Sequence, residues 1–416
     1  MASQTALALR AWRINHTMPI VLTTACVRLA DEDLNAVFKL GRTLLPSDCA
    51  EELSLLAAES RIPAFRRRAD RILRSSARTS WSLHSAPECA VFVFAQDPVE
   101  AESFAALTAK TLPQAAVCLS RWRPAPASVI PVTSVAQVLP ERKERVRRIQ
   151  PEVDQLFVGG KRLAPEESGW RRSGSYGEVF RLADGRLAKL LRYGPAAGSF
   201  LRKLELMRDL NLSLPPAQRQ VCALPLDLVY DRAERCVGFT MNSCGCKTLA
   251  EHLAPGGKSM ASLRALMRSV MLVTLELRLC GVTLRDISLR NFTIREDGTA
   301  CAIDLDSAQL LTFSGGRATA EFASPRLRQD KLLSPEEQSF ALAALCFYAF
   351  SGTPVYGYGQ AEERVFSLPR GEGRYSDSCR SWWQQLSPEK RAVLSAWFDG
   401  TAPVSIGLII NLFEMH

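Results

Sequence analysis

The chain lacks any long apolar segment and any paired cysteine framework. No apolar run approaches the roughly 20 residues that a helix needs to span a bilayer, and the start Met1–Thr5 has no secretory pattern. The 12 cysteines are scattered, which excludes a disulfide-stapled secreted domain and favours a reducing compartment. Cys244 and Cys246 are too closely spaced for a usual zinc pair. We therefore expect an intracellular protein, cytoplasmic or nuclear, with no membrane partner.

The sequence also lacks the aromatic interleaving and the finger spacing of a nucleic-acid module. Its net charge of +9 is concentrated in two clusters, at 66–78 and at 142–148. Ile72 and Leu73 interleave the first cluster at helical spacing, which favours a solvated helix face. The second cluster has the composition of a nuclear import signal or of a site for an acidic partner. No nucleic-acid partner is expected, and the oligomeric state is left open.

Length and hydrophobic content leave room for two packed domains. With 416 residues, of which 47% are hydrophobic, we predict an N-terminal domain at 1–140, a linker at 141–164 and a second domain at 165–416. Apolar periodicity in the first domain indicates a small α/β fold whose function is not evident. The predicted strands are Ile20–Val27, Ala90–Ala95 and Ala115–Leu119, and the predicted helices are Glu32–Leu45, Ala50–Glu59, Phe65–Ser76 and Val99–Leu112.

The most informative pattern is the spacing of three polar residues in the second domain. Asp286 is followed five residues later by Asn291, and Asp304 follows after thirteen more. Nucleoside triphosphates need Mg²⁺ held on hard oxygen ligands, which Asn and Asp supply, and an Asp near the acceptor hydroxyl can take its proton. By itself the pattern is weak, because a polar surface loop has the same composition.

A glycine turn and a strand lysine lie upstream in the order that phosphate binding requires. Gly174-Ser175-Tyr176-Gly177 precedes Val179, and Ala188-Lys189 comes after a predicted hairpin turn at Asp184-Gly185. Glycine lets the backbone approach phosphates closely. A lysine on the following strand can pair with them.

Together these segments resemble the eukaryotic-type serine/threonine protein kinases over about residues 165–405. Downstream, Ala318–Arg326 is similar to the family segment in which a threonine, here Thr319, contacts the catalytic Asp. The resemblance implies an α+β, two-lobed protein kinase fold, with a β-rich N-lobe and an α-helical C-lobe, preceded by the small α/β domain. It implies an enzyme that uses ATP and Mg²⁺ to phosphorylate serine or threonine on protein substrates and on itself.

The resemblance also implies a role for each matching residue. Asp286 is the expected base, Lys189 holds the phosphates, Arg290 supplies a further phosphate contact, and Asn291 and Asp304 hold the metal. The residues expected around the nucleotide are Gly174, Ser175, Tyr176, Gly177, Val179, Ala188, Glu205, Met241 and Cys244.

Glu205 is the only acid in the predicted helix 199–210 that is placed to hold Lys189. Two alternatives stay open for this helix. In the first, Glu205 holds Lys189. In the second, the flanking apolar residues put the pairing position nearer Lys203, and Glu205 is an ordinary solvated residue.

Several supporting positions depart from the family pattern. The departures are Arg172, Leu284, Ser288, Asp306, Arg326 and Gln338. Because Lys189, Asp286, Asn291 and Asp304 are retained, we favour an active, divergent kinase. Truncated kinases of herpesviruses and of bacterial effectors offer an analogy. The alternatives are a pseudokinase scaffold that binds partner proteins and, because 302–308 also resembles the metal loop of kinase-like enzymes, a small-molecule phosphotransferase.

Overall fold

The fold was analysed in a computed structural model. It describes residues 20–83, 91–93, 155–327, 332–356 and 375–415, apart from residues 41, 175–176, 193–194, 246, 255–258, 312 and 326. The architecture is mixed, with both helices and several small sheets. The chain divides into two compact units, unit 1 (Met1–Arg123, Leu253–Leu289 and Arg317–His416) and unit 2 (Pro124–His252 and Arg290–Gly316). Within the described ranges, no helix has the length and apolar character needed to cross a membrane.

Unit 1 contains a sheet of four parallel strands in the order β3-β2-β1-β4. The strands are β1 (Ile20–Leu22), β2 (Thr43–Leu45), β3 (Ala77–Arg78) and β4 (Val91–Val93). Helices α1 (Asp31–Leu40), α2 (Ser47–Glu59) and α3 (Pro63–Ser75) connect them, with a 3₁₀-helix at Thr24–Arg28.

Two boundaries predicted for this region were wrong. The strand predicted from Ile20 ends at Leu22, because the next residues turn into the 3₁₀-helix. The helix predicted to reach Leu45 ends at Leu40, and Thr43–Leu45 form β2. The predicted segments Val99–Leu112 and Ala115–Leu119 lie outside the described residues.

Helix α3 carries the first basic cluster on a solvated face. Its apolar residues Phe65, Ala69 and Ile72 recur at helical spacing and are buried. Arg68 pairs with Asp31, and three other arginines of the helix, Arg66, Arg67 and Arg74, are exposed. The cluster therefore has the arrangement expected of an amphipathic surface helix.

The remaining helices of unit 1 start at serine caps, whose hydroxyls satisfy backbone N–H groups of the first turn. Ser334 and Glu337 form a full capping box. The helices are α7 (Met260–Leu279), α8 (Pro335–Ser351), α9 (Asp377–Gln385), α10 (Pro388–Phe398) and α11 (Ile406–Leu412), and a short strand β13 (Val282–Thr283) follows α7.

Buried carboxylates join the N-terminal part of unit 1 to helices α7 and α11. Glu276 of α7 accepts hydrogen bonds from Ser60 Oγ at 2.9 Å, Arg61 N at 2.5 Å and Arg61 Nη1 at 3.1 Å. Glu52 pairs with Arg278 at 3.1 Å and accepts from Gly407 N at 3.3 Å. The N-terminal residues of the described chain thus share one core with its last helix.

Asp48 is a third buried acid in this region. It accepts from Leu83 N at 2.8 Å and from Ser405 Oγ at 3.2 Å. Gly407 has no room for a side chain, since a Cβ there would lie 2.0 Å from Asp48 O. This close approach allows α11 to pack directly on α2.

Unit 2 is built on a seven-stranded sheet in the order β6-β5-β10-β11-β9-β8-β7. The strands are β5 (Phe157–Val158), β6 (Lys161–Arg162), β7 (Arg171–Ser173), β8 (Gly177–Arg181), β9 (Leu187–Leu191), β10 (Asp227–Tyr230) and β11 (Cys236–Met241). Leu156, Phe180, Ala188 and Val229 belong to its apolar core. The sheet includes β5 and β6, which lie within the segment predicted as a linker.

Helices and a second small sheet complete unit 2. The helices are α4 (Gly198–Ser213), α5 (Pro216–Arg219) and α6 (Leu249–Leu253), and the strands of the small sheet are β12 (Lys247–Thr248), β14 (Phe292–Ile294) and β15 (Ala300–Ala302). Unit 2 also contains the short strand β16 (Gln309–Leu310). Strand β14 pairs antiparallel with both β12 and β15. A 3₁₀-helix at Leu305–Ser307 follows β15.

Candidate functional site

The β14–β15 hairpin brings Asn291 and Asp304 to the same end of a strand pair. Phe292 is paired with Ala302, and Ile303 N donates to Asn291 O at 2.9 Å. Asn291 is one partner in this bond, and Asp304 directly follows the other. The hairpin therefore brings the backbones of the two predicted metal ligands to the same end of the strand pair.

Asp304 has a left-handed backbone, with φ 62° and ψ 33°. Residues other than glycine adopt this conformation rarely and at an energetic cost, and such strain is concentrated at functional sites. Ser307 Oγ donates to Asp304 O at 2.8 Å and fixes the turn that follows. The Asp304 side chain is 37% exposed, so its carboxylate is accessible to a ligand.

Lys189 lies at the centre of the site on strand β9 and is only 3% exposed. Its ammonium group contacts Asp304 Oδ1 and Asp306 Oδ1, each at 2.6 Å. Burial by itself would lower the pKa of Lys189, but the charges of Asp306 and Asp304 outweigh it and leave the pKa above its usual value. Lys189 is therefore a fixed cation between two carboxylates.

The expected pair between Lys189 and Glu205 is not what the structure shows. Glu205 lies on α4 and pairs instead with Arg202, three residues earlier, at 3.1 Å. Lys203 takes the buried position on this helix and donates to Asp306 O at 2.9 Å and Ser314 O at 3.2 Å. The apolar periodicity, which favours Lys203 as the inward residue, was the better guide.

Burial lowers the pKa of Lys203 to about 8, although the nearby charge of Asp306 opposes the shift. Its two hydrogen-bond acceptors are backbone carbonyls and not carboxylates. Lys203 thus ties helix α4 to the backbone of the 306–314 segment.

The glycine turn lies between β7 and β8, and β8 pairs with the lysine strand β9. Gly174 N donates to Gly177 O at 2.8 Å and closes the turn. A Cβ on Gly177 would lie 2.2 Å from Leu190 O and 3.5 Å from Lys189 Cε. Glycine is required here because the backbones of β8 and β9 approach so closely. Ser175 and Tyr176 lie outside the described residues.

Val179, Ala188 and Met241, three more residues predicted for a nucleotide pocket, lie in the same sheet. Val179 is paired with Lys189 across β8 and β9, and Ala188 is fully buried in the core. Met241 is buried at the end of β11, next to the linker that carries Cys244. Burial raises the pKa of the Cys244 thiol to about 12, so it is a neutral thiol, and Thr293 Oγ1 donates to Cys244 O. Arg290 is exposed.

Asp286 lies in unit 1 and has the contact that the sequence predicts. Thr319 donates to Asp286 Oδ1 twice, from its backbone N at 2.8 Å and from its hydroxyl at 2.5 Å. These bonds hold one carboxylate oxygen in a defined direction. Asp286 is half-buried, which suits a group that must exchange a proton with a bound molecule.

Sequence reasoning missed the importance of Asp306. In the sequence it stands out only as a departure from the family pattern, whereas in the structure it is 6% exposed and pairs with Lys189. The two residues are 117 positions apart, so no local pattern could indicate the pair. The inward register of Lys203 was the one signal that helix α4 does not supply the carboxylate.

Comparison with known proteins gives no assignment. No protein-family model matches the chain, and no curated protein matches it. Among the described residues, no group of three or more His, Cys, Asp or Glu is arranged to hold a metal ion. A function must therefore be inferred from the geometry of Lys189, Asn291, Asp304 and Asp306.

Proposed function

We propose that this chain is an ATP- and Mg²⁺-dependent protein kinase that transfers the γ-phosphate to serine or threonine hydroxyls of proteins, including its own. The observation that supports this function best is the buried cation Lys189, held against Asp304 and close to Gly177 of the neighbouring strand. A finer fold assignment, the two-lobed protein kinase fold, is part of the same proposal. So is a location in the cytoplasm or nucleus, which rests on the scattered cysteines.

The residues at the hairpin fit a magnesium–nucleotide complex. Asn291 and Asp304 offer two hard oxygen ligands, and Mg²⁺ commonly takes only one or two protein ligands and completes its shell with water and phosphate. When bound, the ion would neutralise charge on the phosphates. Lys189 supplies positive charge for the phosphates, and the glycine turn lets backbone approach them.

The acceptor role belongs to Asp286. Its carboxylate is oriented by Thr319, and an oriented carboxylate can position an acceptor hydroxyl and take its proton. We favour a protein acceptor because the glycine turn and the Thr319–Pro325 segment resemble protein kinases more than small-molecule phosphotransferases.

The test is transfer of labelled phosphate from ATP with Mg²⁺ to the protein itself and to a generic basic protein. Asp304→Asn should reduce transfer by more than the roughly 10- to 100-fold typical of losing an outer-shell metal partner. Asp297→Asn alters an exposed carboxylate in the turn of the same hairpin and should leave transfer within about twofold of wild type. Label should be found on serine or threonine.

Each contrary result points to a specific alternative. Folded wild-type protein that binds nucleotide and transfers nothing would overturn the proposal in favour of a scaffold. Transfer to a small molecule without label on protein would indicate a small-molecule phosphotransferase.

A further inference from the structure

Lys189 belongs to a cluster of four charged residues within unit 2. Lys189 and Lys203 carry two positive charges, and Asp304 and Asp306 carry two negative ones. Lys189, Lys203 and Asp306 are each at most 6% exposed. Because an unpaired buried charge is costly, the enclosed Asp306 carboxylate depends on Lys189, which contacts it at 2.6 Å.

The two carboxylates on Lys189 are not equivalent. Asp304 is 37% exposed and is the residue assigned to the metal, whereas the side chain of Asp306 is 6% exposed. Asp306 is therefore the buried partner of Lys189. It can hold the Lys189 ammonium group whether or not Asp304 is bound to a ligand.

Helix α4 contributes no described carboxylate to Lys189. Its acids Glu205 and Asp209 pair with Arg202 and Arg208 of the same helix. The helix contributes the Lys203 ammonium group instead. Lys203 bonds Asp306 O and Ser314 O, two points on the loop that carries Asp306.

The loop is also folded back on itself. Gly316 N donates to Ser307 O at 2.7 Å, and a Cβ on Gly316 would lie 3.2 Å from Ser307 Cβ. Lys203 therefore binds a loop that is already compact, which limits the directions in which the Asp306 carboxylate can point.

We propose that Asp306 and Lys203 are the positioning residues for Lys189. Asp306 holds the ammonium group, and Lys203 holds the loop that presents Asp306. The inference rests on the proposed function, because that function gives Lys189 its role toward the nucleotide. In this proposal the carboxylate that holds Lys189 is Asp306, which follows β15, and not the expected Glu205 on helix α4.

The first test needs no phosphate transfer. Acylation of Lys189 by an amine-reactive ester is followed by peptide mass spectrometry in nucleotide-free protein. Asp306→Asn should speed the acylation severalfold, because the isosteric amide loses the charge that holds the ammonium group. Glu205→Gln makes the same change on the acid that the structure leaves to Arg202, and it should label at the wild-type rate.

The second test uses Mg·ADP binding and steady-state kinetics. Asp306→Asn should weaken Mg·ADP binding and reduce kcat/KM for ATP by about 10- to 100-fold, the typical cost of losing an orienting partner. The KM for the protein acceptor should stay unchanged, which a general loss of structure would not allow.

Lys203→Met keeps the aliphatic stem and removes the ammonium group. It should act in the same direction on Lys189 labelling and on Mg·ADP binding. The double variant Asp306→Asn/Lys203→Met should resemble the single Asp306→Asn, because both changes remove the same positioning of the Lys189 ammonium group. Should Asp306→Asn not fold, as judged by circular dichroism, Lys203→Met provides the test by itself.

Two results would overturn the inference. One is a Glu205→Gln variant that labels Lys189 as fast and binds Mg·ADP as weakly as Asp306→Asn. The other is wild-type behaviour of both Asp306→Asn and Lys203→Met. A wild-type protein without transfer activity would defeat the proposed function, while the labelling of Lys189 would still decide the positioning roles.

Discussion

The two units use buried charge in different ways. In unit 1, Glu276 is fully enclosed and its carboxylate accepts hydrogen bonds from Ser60 and from the backbone and side chain of Arg61. In unit 2, Lys189 is equally enclosed but has a partner, Asp304, whose side chain is 37% exposed. A buried charge whose hydrogen-bond partners are all protein groups, such as Glu276, stabilises the fold. A buried charge whose partner reaches the surface, such as Lys189, can exchange that partner for a ligand. Burial alone therefore does not mark a functional group.

The largest expected effect comes from breaking the saturated cluster of unit 1. Glu276→Gln should lower the free energy of unfolding by about 3 kcal/mol, because Arg61 keeps its charge next to a neutral amide in the protein interior. Denaturation by urea measures the loss. Glu59→Gln is the matched control, since Glu59 pairs with Arg268 near the surface, and its cost should stay below about 1 kcal/mol. Equal losses in the two variants would contradict the comparison.

The second effect tests the close strand packing beside Lys189. Gly177→Ala should destabilise the protein by about 1 to 3 kcal/mol, as overpacking does, because the added Cβ would meet Leu190 O at 2.2 Å. Gly174→Ala is the control, because its Cβ would lie at an ordinary 3.7 Å from Gly177 O. Thermal unfolding of both variants checks this prediction. A Gly174→Ala variant that is the less stable of the two would refute it.

The third prediction concerns a buried polar group of unit 1 that is not saturated. Gln338 on α8 is fully buried, and neither its side-chain nitrogen nor its side-chain oxygen has a hydrogen-bond partner among the described residues. Gln338→Met keeps the shape and should raise the free energy of unfolding by about 1 kcal/mol, because a buried polar group without partners is costly. Urea denaturation of the variant measures the gain, and a loss above about 1 kcal/mol would show that the amide has a role in the fold.

The smallest effect is a pH dependence from Asp48. Burial raises its pKa above the usual 3.8, and hydrogen bonds from Leu83 and Ser405 oppose the shift without cancelling it. The folded state then binds the proton more tightly than the unfolded chain. The resulting stability is fully present below pH 3.8 and is lost as the pH rises through the folded-state pKa.

Asp48→Asn removes this titration. Relative to wild type, the variant should gain stability as the pH rises from about 4 to 8, measured as the difference between their unfolding free energies at each pH. A constant difference across that range would mean that Asp48 does not titrate differently in the folded state.

Local sequence patterns predicted the helices, strands and turns that are determined by neighbouring residues. The helices predicted at Ala50–Glu59 and Phe65–Ser76 follow from apolar periodicity, and the lysine strand follows from turn chemistry. The contact between Thr319 and Asp286 was expected from the family resemblance and is present. What remained hidden were pairings between distant residues. Glu276 stands in an otherwise apolar stretch, and its partner Ser60 is 216 positions away.

The same limit applies to the candidate site. Nothing around Asp306 in the sequence distinguishes a metal-loop acid from the partner of a lysine on another strand. The choice is made by packing, which turns Lys203 inward on α4 and leaves Glu205 beside Arg202. Periodicity could indicate which helix face is buried, but not which distant charge that face would meet.

The bond between Ser405 and Asp48 has a consequence for synthesis on the ribosome. The two residues are 357 positions apart, and at typical rates of translation about 20 to 70 s separate their emergence. During that interval helix α2 exposes the surface that α11 later covers. The nascent chain must therefore stay soluble with an unfinished core, and we expect a holding chaperone to bind it until α11 emerges.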